Sequence, residues 1–426
     1  MYLKLSRYEE AERVRQLGLV MAFTNTERMN FACPRLWTYQ HMENFTTPQK
    51  AGALTYGIVW HSILEEILEE IKETDLICTE QRLLEILDER LLPLIEEEFL
   101  SSGGEELLHQ AISFGNVADI EQRIRNCIIG WRISWVSLLE RFKIVEVEIP
   151  LTAPVLDPRG NIAYFPTYIT ADEGFWRPSR MGEAFLAELK DLPYYKVGKI
   201  DVLLEDRETG DLWICDHKTT SSPAMFENGI TYDVQLPSYA SLLDWEIKNG
   251  YLGYLKGKSI AGVIYDISHS KVSGIPDLLK SGKLSKAKNA GVTSWIYAKA
   301  IEHYGLPPSE YKDHLVYLKN NADPKKNYQR FYYLSPEDID RCADEDYGLA
   351  AEMSRRRFEL AEIIPDNIIQ FNSIAYRYPV CQKYGNCRFS TFCLANTPPT
   401  DIMLERDDSI KWVEEISQEQ KTQFPF

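Results

Sequence analysis

The spacing of the hydrophobic residues changes at about residue 143, and this change constrains the fold more than any other feature of the chain. Upstream, apolar side chains recur every three or four residues, which predicts amphipathic helices over 57–100 and 117–142, with a loop at Gly103-Gly104. From 143 to 151 the apolar residues alternate instead, as they do in a strand with one buried face. A chain that combines both periods is expected to fold as a mixed α/β protein.

The same mixture continues downstream. Further strands are predicted at 162–168, 199–204, 211–216 and 261–267, and helices at 233–248 and 336–362. Gly, Ser, Lys and Pro over 270–330 indicate a loop-plus-helix insertion. We expect a central mixed sheet flanked by helices, in one elaborated domain over 1–400 with these parts: a helical part (57–142), an α/β core (143–270), a lysine-rich insertion (271–330) and C-terminal helices (331–400), before an acidic tail (401–426).

The chain is acidic overall, with 47 basic and 64 acidic residues and a net charge of −17. That value argues against a nucleic-acid partner until the charges are located. Residues 61–106 hold fifteen acidic and three basic side chains, and residues 401–426 hold seven and three. Residues 248–299, by contrast, hold nine lysines and two aspartates. This basic segment is either a solvated insertion or a flap that follows phosphates, and a second basic patch is predicted at Arg355, Arg356 and Arg357.

Aromatic side chains near the basic segment could stack on the bases of a single strand. The candidates are Trp295, Tyr297, Tyr328, Phe331, Tyr332 and Tyr333. The N-terminus has no apolar segment of the signal-peptide kind, and no apolar run reaches the length of a membrane span. The chain is therefore expected in the cytoplasm, either of a bacterium or of a phage-infected host cell.

A predicted β-hairpin carries the first candidate site. If its turn lies at 207–210, paired residues have numbers that sum to about 417, so Asp201 lies opposite Asp216 and Lys218 shares the face of Asp216. Two adjacent carboxylates favour a hard cation, Mg²⁺ or Mn²⁺, to which the backbone carbonyl of His217 could add an oxygen. Such a site suits phosphodiester hydrolysis. The alternative is a surface hairpin with solvated charges.

Two helices carry further candidates. His61 and Glu65 lie at positions i and i+4 of the first predicted helix, and Gln235 and Tyr239 have the same spacing on the helix after the hairpin. Gln235 and Tyr239 could face one groove or could be the edge of an amphipathic helix, and the alternative for His61 is a capped or half-buried side chain.

Taken in order, these residues resemble the RecB-like exonuclease branch of the PD-(D/E)XK nuclease superfamily. The matching residues are Gly57, His61, Leu64, Glu65, Gly198, Asp201, Asp216, Lys218, Thr219, Gln235 and Tyr239. The resemblance implies a restriction-endonuclease-like α/β core in which His61, Asp201 and Asp216 hold Mg²⁺ or Mn²⁺. It also implies that Lys218 is the catalytic lysine and that Gln235 and Tyr239 contact DNA. Glu148 is a further acidic residue on the preceding strand, which we leave outside the predicted site.

Three cysteines near the end of the chain, Cys381, Cys387 and Cys393, are one short of a closed four-thiol site, and Cys33 is the candidate fourth ligand. This pattern resembles the iron–sulfur nucleases related to AddB, which implies a [4Fe–4S] cluster that joins the two ends of the chain. In that family a tighter pair, CxxC, usually precedes the last cysteine, whereas both gaps here are five residues. Zn²⁺ and unliganded thiols remain alternatives.

The sequence and the resemblance together predict a metal-dependent deoxyribonuclease, an exonuclease that hydrolyses DNA ends or single strands in recombination, repair or phage DNA processing. The chain lacks the nucleotide-binding pattern GxxxxGK[ST], so unwinding would need a helicase or recombination protein in trans. The alternatives are a non-catalytic DNA-binding or scaffold subunit with the same fold, and a hydrolase of nucleotides or sugar phosphates.

Overall fold

The computed structural model describes residues 21–42, 45–46, 52–169, 188–223, 226–227, 233–271, 274–288, 292–361, 387, 389, 393 and 405–406. The helices are Asn25–Asn30 (α1), Pro34–Trp37 (α2), Gly52–Thr74 (α3), Glu80–Ser113 (α4), Asn116–Arg141 (α5), Gln235–Lys248 (α6), Ser294–His303 (α7), Lys312–Asn321 (α8) and Pro336–Ala361 (α9). The strands are Met21–Phe23 (β1), Phe45–Thr46 (β2), Phe142–Pro154 (β3), Tyr164–Ile169 (β4), Glu188–Asp206 (β5), Leu212–Thr220 (β6), Ile260–His269 (β7), Asn327–Tyr333 (β8) and Glu405–Arg406 (β9).

Within this described part, seven strands form one mixed sheet in the order β1-β5-β6-β7-β8, with β3 and β4 also paired to β5. The β1–β5 and β6–β7 pairs are parallel, and the other pairs are antiparallel. The 19-residue strand β5 is long enough to pair with four partners along its length. This sheet, flanked by helices, confirms the predicted mixed α/β fold.

Helices cover both faces of the sheet. On one face, α3, α4 and α5 bury a cluster that includes Trp60, Leu87 and Trp131 against sheet residues such as Val202 and Cys215. On the other face, α6 packs through residues that include Leu236 and Leu243 against Ile200 and Ile214. Because adjacent residues of a strand point to opposite faces, β5 and β6 contribute to both clusters. The two strands of the predicted hairpin therefore lie in the buried middle of the protein.

The loop predicted at Gly103-Gly104 is wrong, since α4 continues to Ser113. Gly104 adopts a left-handed conformation with φ 67° inside this segment. Beyond it, Ala111 is buried against the helical cluster, and Leu107 and Leu108 pack against the same cluster. Glycine costs about 1 kcal/mol relative to alanine in a helix, which tertiary packing of the following turns can offset.

The prediction that 270–330 is only loop and helix is wrong at its end. Helices α7 and α8 lie in this segment and form a small cluster around Tyr297 and Tyr311. At Asn327, however, the chain enters β8, which pairs antiparallel with β7 from Gly262↔Tyr333 to Ser268↔Asn327. The lysine-rich segment therefore leads directly back into the central sheet.

Segments from the two ends of the chain meet in a separate two-stranded sheet. Phe45 and Thr46 of β2 pair with Arg406 and Glu405 of β9. Cys387 packs against Tyr39 and Phe389, whose ring centroids lie 5.4 Å apart. None of the helices in the described part has both the length and the apolarity that crossing a membrane requires.

Candidate active site

The hairpin register places the predicted carboxylates side by side. Val202 pairs with Cys215 and Leu203 with Ile214, so paired numbers sum to 417 as the turn predicted. Extended by one position, this register sets Asp201 opposite Asp216, and both residues are buried. The predicted register is confirmed from Val202↔Cys215 to Glu205↔Leu212.

Three ligand side chains converge at this end of β5. Ligand atoms of His61, Glu148 and Asp201 all lie within 4.8 Å of one another. Within this group, His61 Nδ1 lies 3.3 Å from Asp201 Oδ2. Helix α3 supplies the imidazole, and strands β3 and β5 supply the carboxylates. One imidazole and two carboxylates form a donor set that suits a divalent cation such as Mn²⁺ or Mg²⁺.

Asp216 lies beside this group of three but is paired with the predicted lysine. Lys218 Nζ lies 2.6 Å from Asp216 Oδ2 and donates to Gln235 Oε1 at 2.8 Å. Gln235 Nε2 in turn donates to the Tyr239 hydroxyl at 3.1 Å. The structure therefore joins Asp216, Lys218, Gln235 and Tyr239 in one chain of contacts between β6 and α6. Their chemical roles remain predictions.

The charges of the site are strongly coupled because the groups are buried together. Burial would lower the pKa of His61, but the carboxylates of Asp201, Asp216 and Glu148 raise it to about 9. Burial opposes ionisation of Asp201, but His61 beside it holds the pKa of that carboxyl well below its usual range. Burial and the Asp201 carboxylate raise the pKa of Glu148 to about 7. At neutral pH and without a cation, the group of three therefore holds its protons on His61 and, in part, on Glu148.

The lysine side of the site shows a matching pattern. Burial raises the pKa of Asp216 to about 6, with Lys218 opposing the shift and Asp201 adding to it. Burial disfavours the Lys218 ammonium, but Asp216 and Asp201 hold the pKa of Lys218 above its usual range. Lys218 is therefore a permanent positive charge inside the site.

Glu148 was left outside the predicted site although it supplies a ligand atom. In the antiparallel β3–β5 pair, Val147 lies opposite Val202 and Ile149 opposite Ile200, so Glu148 lies beside Asp201. Glu148 has φ 54°, in the left-handed region that non-glycine residues rarely adopt, and forms an ion pair with Lys199. The sequence signal was an acidic residue on the strand before the hairpin, but its importance depends on a pairing with residues fifty positions downstream.

Two other matched residues, Gly57 and Glu65, lie near the site. A Cβ atom on Gly57 would lie 3.6 Å from Thr219 Oγ1, which places α3 next to the end of β6. Burial raises the pKa of Glu65, one turn after His61, although Lys199 opposes the shift. For His217, the backbone N–H donates to Asp201 Oδ2 at 2.8 Å, while the predicted ligand role of its carbonyl stays a prediction.

Comparison with protein families then identifies the fold. A family model described as the PD-(D/E)XK nuclease superfamily matches residues 30–393. The chain belongs to this superfamily. No curated protein matches the chain. Membership of the PD-(D/E)XK superfamily implies a nuclease, a hydrolase of phosphodiester bonds, and the cluster of His61, Glu148 and Asp201 fits the divalent metals that PD-(D/E)XK nucleases use.

The predicted second basic patch is wrong for this PD-(D/E)XK protein. Arg355 is paired with Glu352 and Glu359 of its own helix. Arg356 is buried, and Arg357 is paired with Glu27 at 2.9 Å. Guanidinium groups that are paired or buried in this way stabilise the packing of α9 and do not form an open phosphate-binding surface.

The predicted stacking aromatics divide into core and surface residues. Tyr297 is 1% exposed and packs against Tyr311 and His314, so its interpretation as a stacking residue is wrong. Phe331 and Tyr333 are 40% and 71% exposed, and each ring contacts Trp213 edge-on, with centroids 5.8 Å and 5.0 Å apart. The lysine-rich segment is also partly neutralised, since Lys283 is paired with Glu310 and Lys299 with Glu302.

Proposed function

We propose that the protein is a Mg²⁺- or Mn²⁺-dependent deoxyribonuclease of the RecB-like type. Its proposed reaction is exonucleolytic hydrolysis of DNA ends or single strands in recombination, repair or phage DNA processing. The observation that carries the proposal is the convergence of His61, Glu148 and Asp201 within 4.8 Å. Asp216 and Lys218 lie on the adjacent strand of the same hairpin.

The side chains have different roles in the proposed reaction. A divalent cation bound by His61, Glu148 and Asp201, with Asp216 beside them, would stabilise negative charge on the scissile phosphate and promote ionisation of the attacking water. Lys218 keeps its positive charge next to this cluster and stabilises the additional charge of the transition state. Gln235 orients the Lys218 ammonium through its 2.8 Å hydrogen bond and is itself held by Tyr239. Preorganised donors of this kind need no rearrangement during the reaction.

Degradation of end-labelled linear DNA tests the proposal. With Mg²⁺ or Mn²⁺ the wild-type protein should release labelled products, and chelation should stop the release. Lys218→Ala should lower the rate by at least 100-fold, since removal of one charge-stabilising donor typically costs that much. Lys248→Ala is the matched control, because Lys248 is 66% exposed and pairs with Asp244 at the surface of α6.

If the protein binds DNA but degrades no form of it, the nuclease proposal is wrong and the protein is a non-catalytic DNA-binding subunit. Degradation of mononucleotides or sugar phosphates without polynucleotides would favour the small-substrate hydrolase. These outcomes use the same preparations and need no further variants.

Circular substrates test the exonuclease part of the proposal. Linear single strands should be degraded and covalently closed circles of the same sequence should persist, whereas an endonuclease would cut both. RNA of the same sequence tests the preference for DNA. Blunt duplex ends should become better substrates when a helicase is added, because the sequence carries no nucleotide-binding GxxxxGK[ST] motif of its own.

We also propose a [4Fe–4S] cluster held by Cys33, Cys381, Cys387 and Cys393. Cys33 and Cys393 are buried, and Cys387 packs against Tyr39, which follows Cys33 closely in the chain. Cys381 lies outside the described residues. Thiolates from both chain ends would then hold the cluster in the way typical of Cys₄ ligation.

An anaerobic preparation tests the cluster. It should be brown and contain iron and sulfide, and Cys387→Ser should lose both. Cys342→Ser is the control, because Cys342 is buried on α9 and belongs to no predicted ligand set. A colourless preparation that contains zinc, or no metal at the cysteines, would overturn this assignment.

A further inference from the structure

A buried carboxylate on β7 collects hydrogen bonds from three other elements. Asp266 is 0% exposed. Its Oδ2 accepts from Trp131 Nε1 at 3.0 Å and Trp135 Nε1 at 2.9 Å, and its Oδ1 accepts from Gln329 Nε2 at 2.8 Å. A buried carboxylate with this many donors is held rigidly, since moving it would break several charge-assisted hydrogen bonds at once.

The fourth partner of Asp266 is the side chain of His217. His217 Nδ1 lies 2.8 Å from Asp266 Oδ2, and the two residues are register partners in the parallel β6–β7 pair. The imidazole is buried and packs against Trp135, with ring centroids 5.8 Å apart. Because Nδ1 faces a carboxylate, it carries the hydrogen in this contact. The His217 ring is thus fixed on the face of β6 opposite to Asp216 and Lys218.

The backbone N–H of His217 faces the group of His61, Glu148 and Asp201. Its N–H donates to Asp201 Oδ2 at 2.8 Å, and His61 Nδ1 lies 3.3 Å from the same oxygen. One residue therefore connects the rigid Asp266 carboxylate to the orientation of Asp201. A shift of β6 at His217 would lengthen the hydrogen bond that orients the Asp201 carboxylate.

We propose that His217 and Asp266 are positioning residues that fix the Asp201 carboxylate for cation binding. The inference rests on the proposed function, in which Asp201 binds a divalent metal, and adds the side chains of His217 and Asp266, which lie behind that carboxylate. Hydrogen-bond partners that orient a ligand from behind typically change metal affinity by 10–100-fold when they are removed.

Calorimetric titration of the full-length protein with Mn²⁺, without DNA, tests the inference. His217→Phe keeps an aromatic ring against Trp135 but cannot donate to Asp266, and should weaken Mn²⁺ binding by about 10–100-fold. His217→Asn places an amide N–H near the position of Nδ1 and should restore most of the affinity. The Mn²⁺ concentration that gives half of the maximal nuclease rate should shift in parallel.

A control on β7, the strand of Asp266, distinguishes loss of positioning from loss of stability. The Ser268 hydroxyl is buried on β7 and donates to Asn327 Oδ1 at 2.6 Å, so Ser268→Ala should lower the melting temperature and leave the Mn²⁺ affinity unchanged. A purely structural role for His217 would give the same result in His217→Phe. That result, or a wild-type protein that binds no Mn²⁺, would overturn the inference.

The two proposals fail in different ways. If the wild-type protein degrades DNA but His217→Phe binds Mn²⁺ as tightly as wild type, the positioning inference falls and the nuclease stands. If no DNA is degraded but His217→Phe weakens Mn²⁺ binding and His217→Asn restores it, the nuclease falls and the inference stands.

Discussion

Gly198 on β5 lies directly beneath Tyr239 on α6. A Cβ atom on Gly198 would lie 2.6 Å from Tyr239 Cε1 and 3.1 Å from Leu242 Cδ1. These distances are shorter than van der Waals contact, so the absence of a side chain allows the helix to approach the strand. Because Tyr239 holds Gln235, and Gln235 holds Lys218, the position of α6 is linked to the lysine of the site.

Gly198→Ala should therefore affect both stability and activity. The added methyl group displaces Tyr239 and should lower the free energy of unfolding by about 1–3 kcal/mol, as overpacking of a core does. The nuclease rate should fall as well, since Lys218 loses its orientation. Urea unfolding and the labelled-DNA assay measure the two effects. Gly348→Ala is the control: its Cβ meets nothing within 4 Å in α9, so stability should rise by about 0.5–1 kcal/mol.

Tyr297 and Tyr333 should respond differently to truncation. Tyr297 is 1% exposed, so Tyr297→Ala leaves a cavity and should cost about 3–5 kcal/mol of unfolding free energy. Tyr333 is 71% exposed and its ring contacts Trp213 edge-on, with centroids 5.0 Å apart, so Tyr333→Ala should cost about 0.5–1.5 kcal/mol. Denaturant unfolding of both variants measures this. Equal costs would show that the small cluster around Tyr297 is not an ordered core.

The buried ion pair of Lys196 and Asp346 should be costly to break. Lys196 Nζ lies 2.6 Å from Asp346 Oδ2, and both side chains are buried. Asp346→Asn leaves the lysine charge without its compensating carboxylate and should cost about 3–5 kcal/mol. Glu345→Gln is the neighbouring control, because Glu345 is 47% exposed in its pair with Arg28 and should contribute under about 1 kcal/mol. Thermal and urea unfolding compare the two.

Stability should fall at alkaline pH in a way that depends on Cys127. Burial raises the pKa of the Cys127 thiol from 9.0 to about 11. The raised pKa of the folded state means that this contribution is complete below pH 9 and is lost as the pH rises towards 11, because the unfolded thiol ionises first. The slope should be up to about 1.4 kcal/mol per pH unit for one thiol. Urea unfolding from pH 8 to 10.5 should show a shallower decline in Cys127→Ala than in wild type. Identical slopes would contradict the prediction.

The hairpin site could be predicted from the sequence because its geometry is local. A short turn between two alternating strands fixes which residues face each other, and the period of two then places Lys218 on the face of Asp216. The helices that carry His61 and Gln235 were likewise readable from the spacing of apolar residues.

The remaining parts of the site depend on pairings between distant segments. Glu148 reaches the cluster through the β3–β5 register, and Asp266 reaches His217 through the parallel β6–β7 register. Neither register follows from local spacing, since a helical or long connection lies between the strands. The burial of Tyr297 and the pairing of Arg357 were also hidden, because composition gives the number of side chains and not their neighbours.

The left-handed backbone of Glu148 implies that thermal stability and cation binding favour different residues at this position. An L-residue with φ 54° costs about 1–2 kcal/mol, and a glycine there would avoid that cost. Glycine would also remove one of the ligand atoms from the group of three. Selection of this chain for thermal resistance alone should therefore favour loss of Glu148, so a stabilised descendant could be an inactive one. Engineering that aims at both properties should hold this position constant and seek its gains elsewhere.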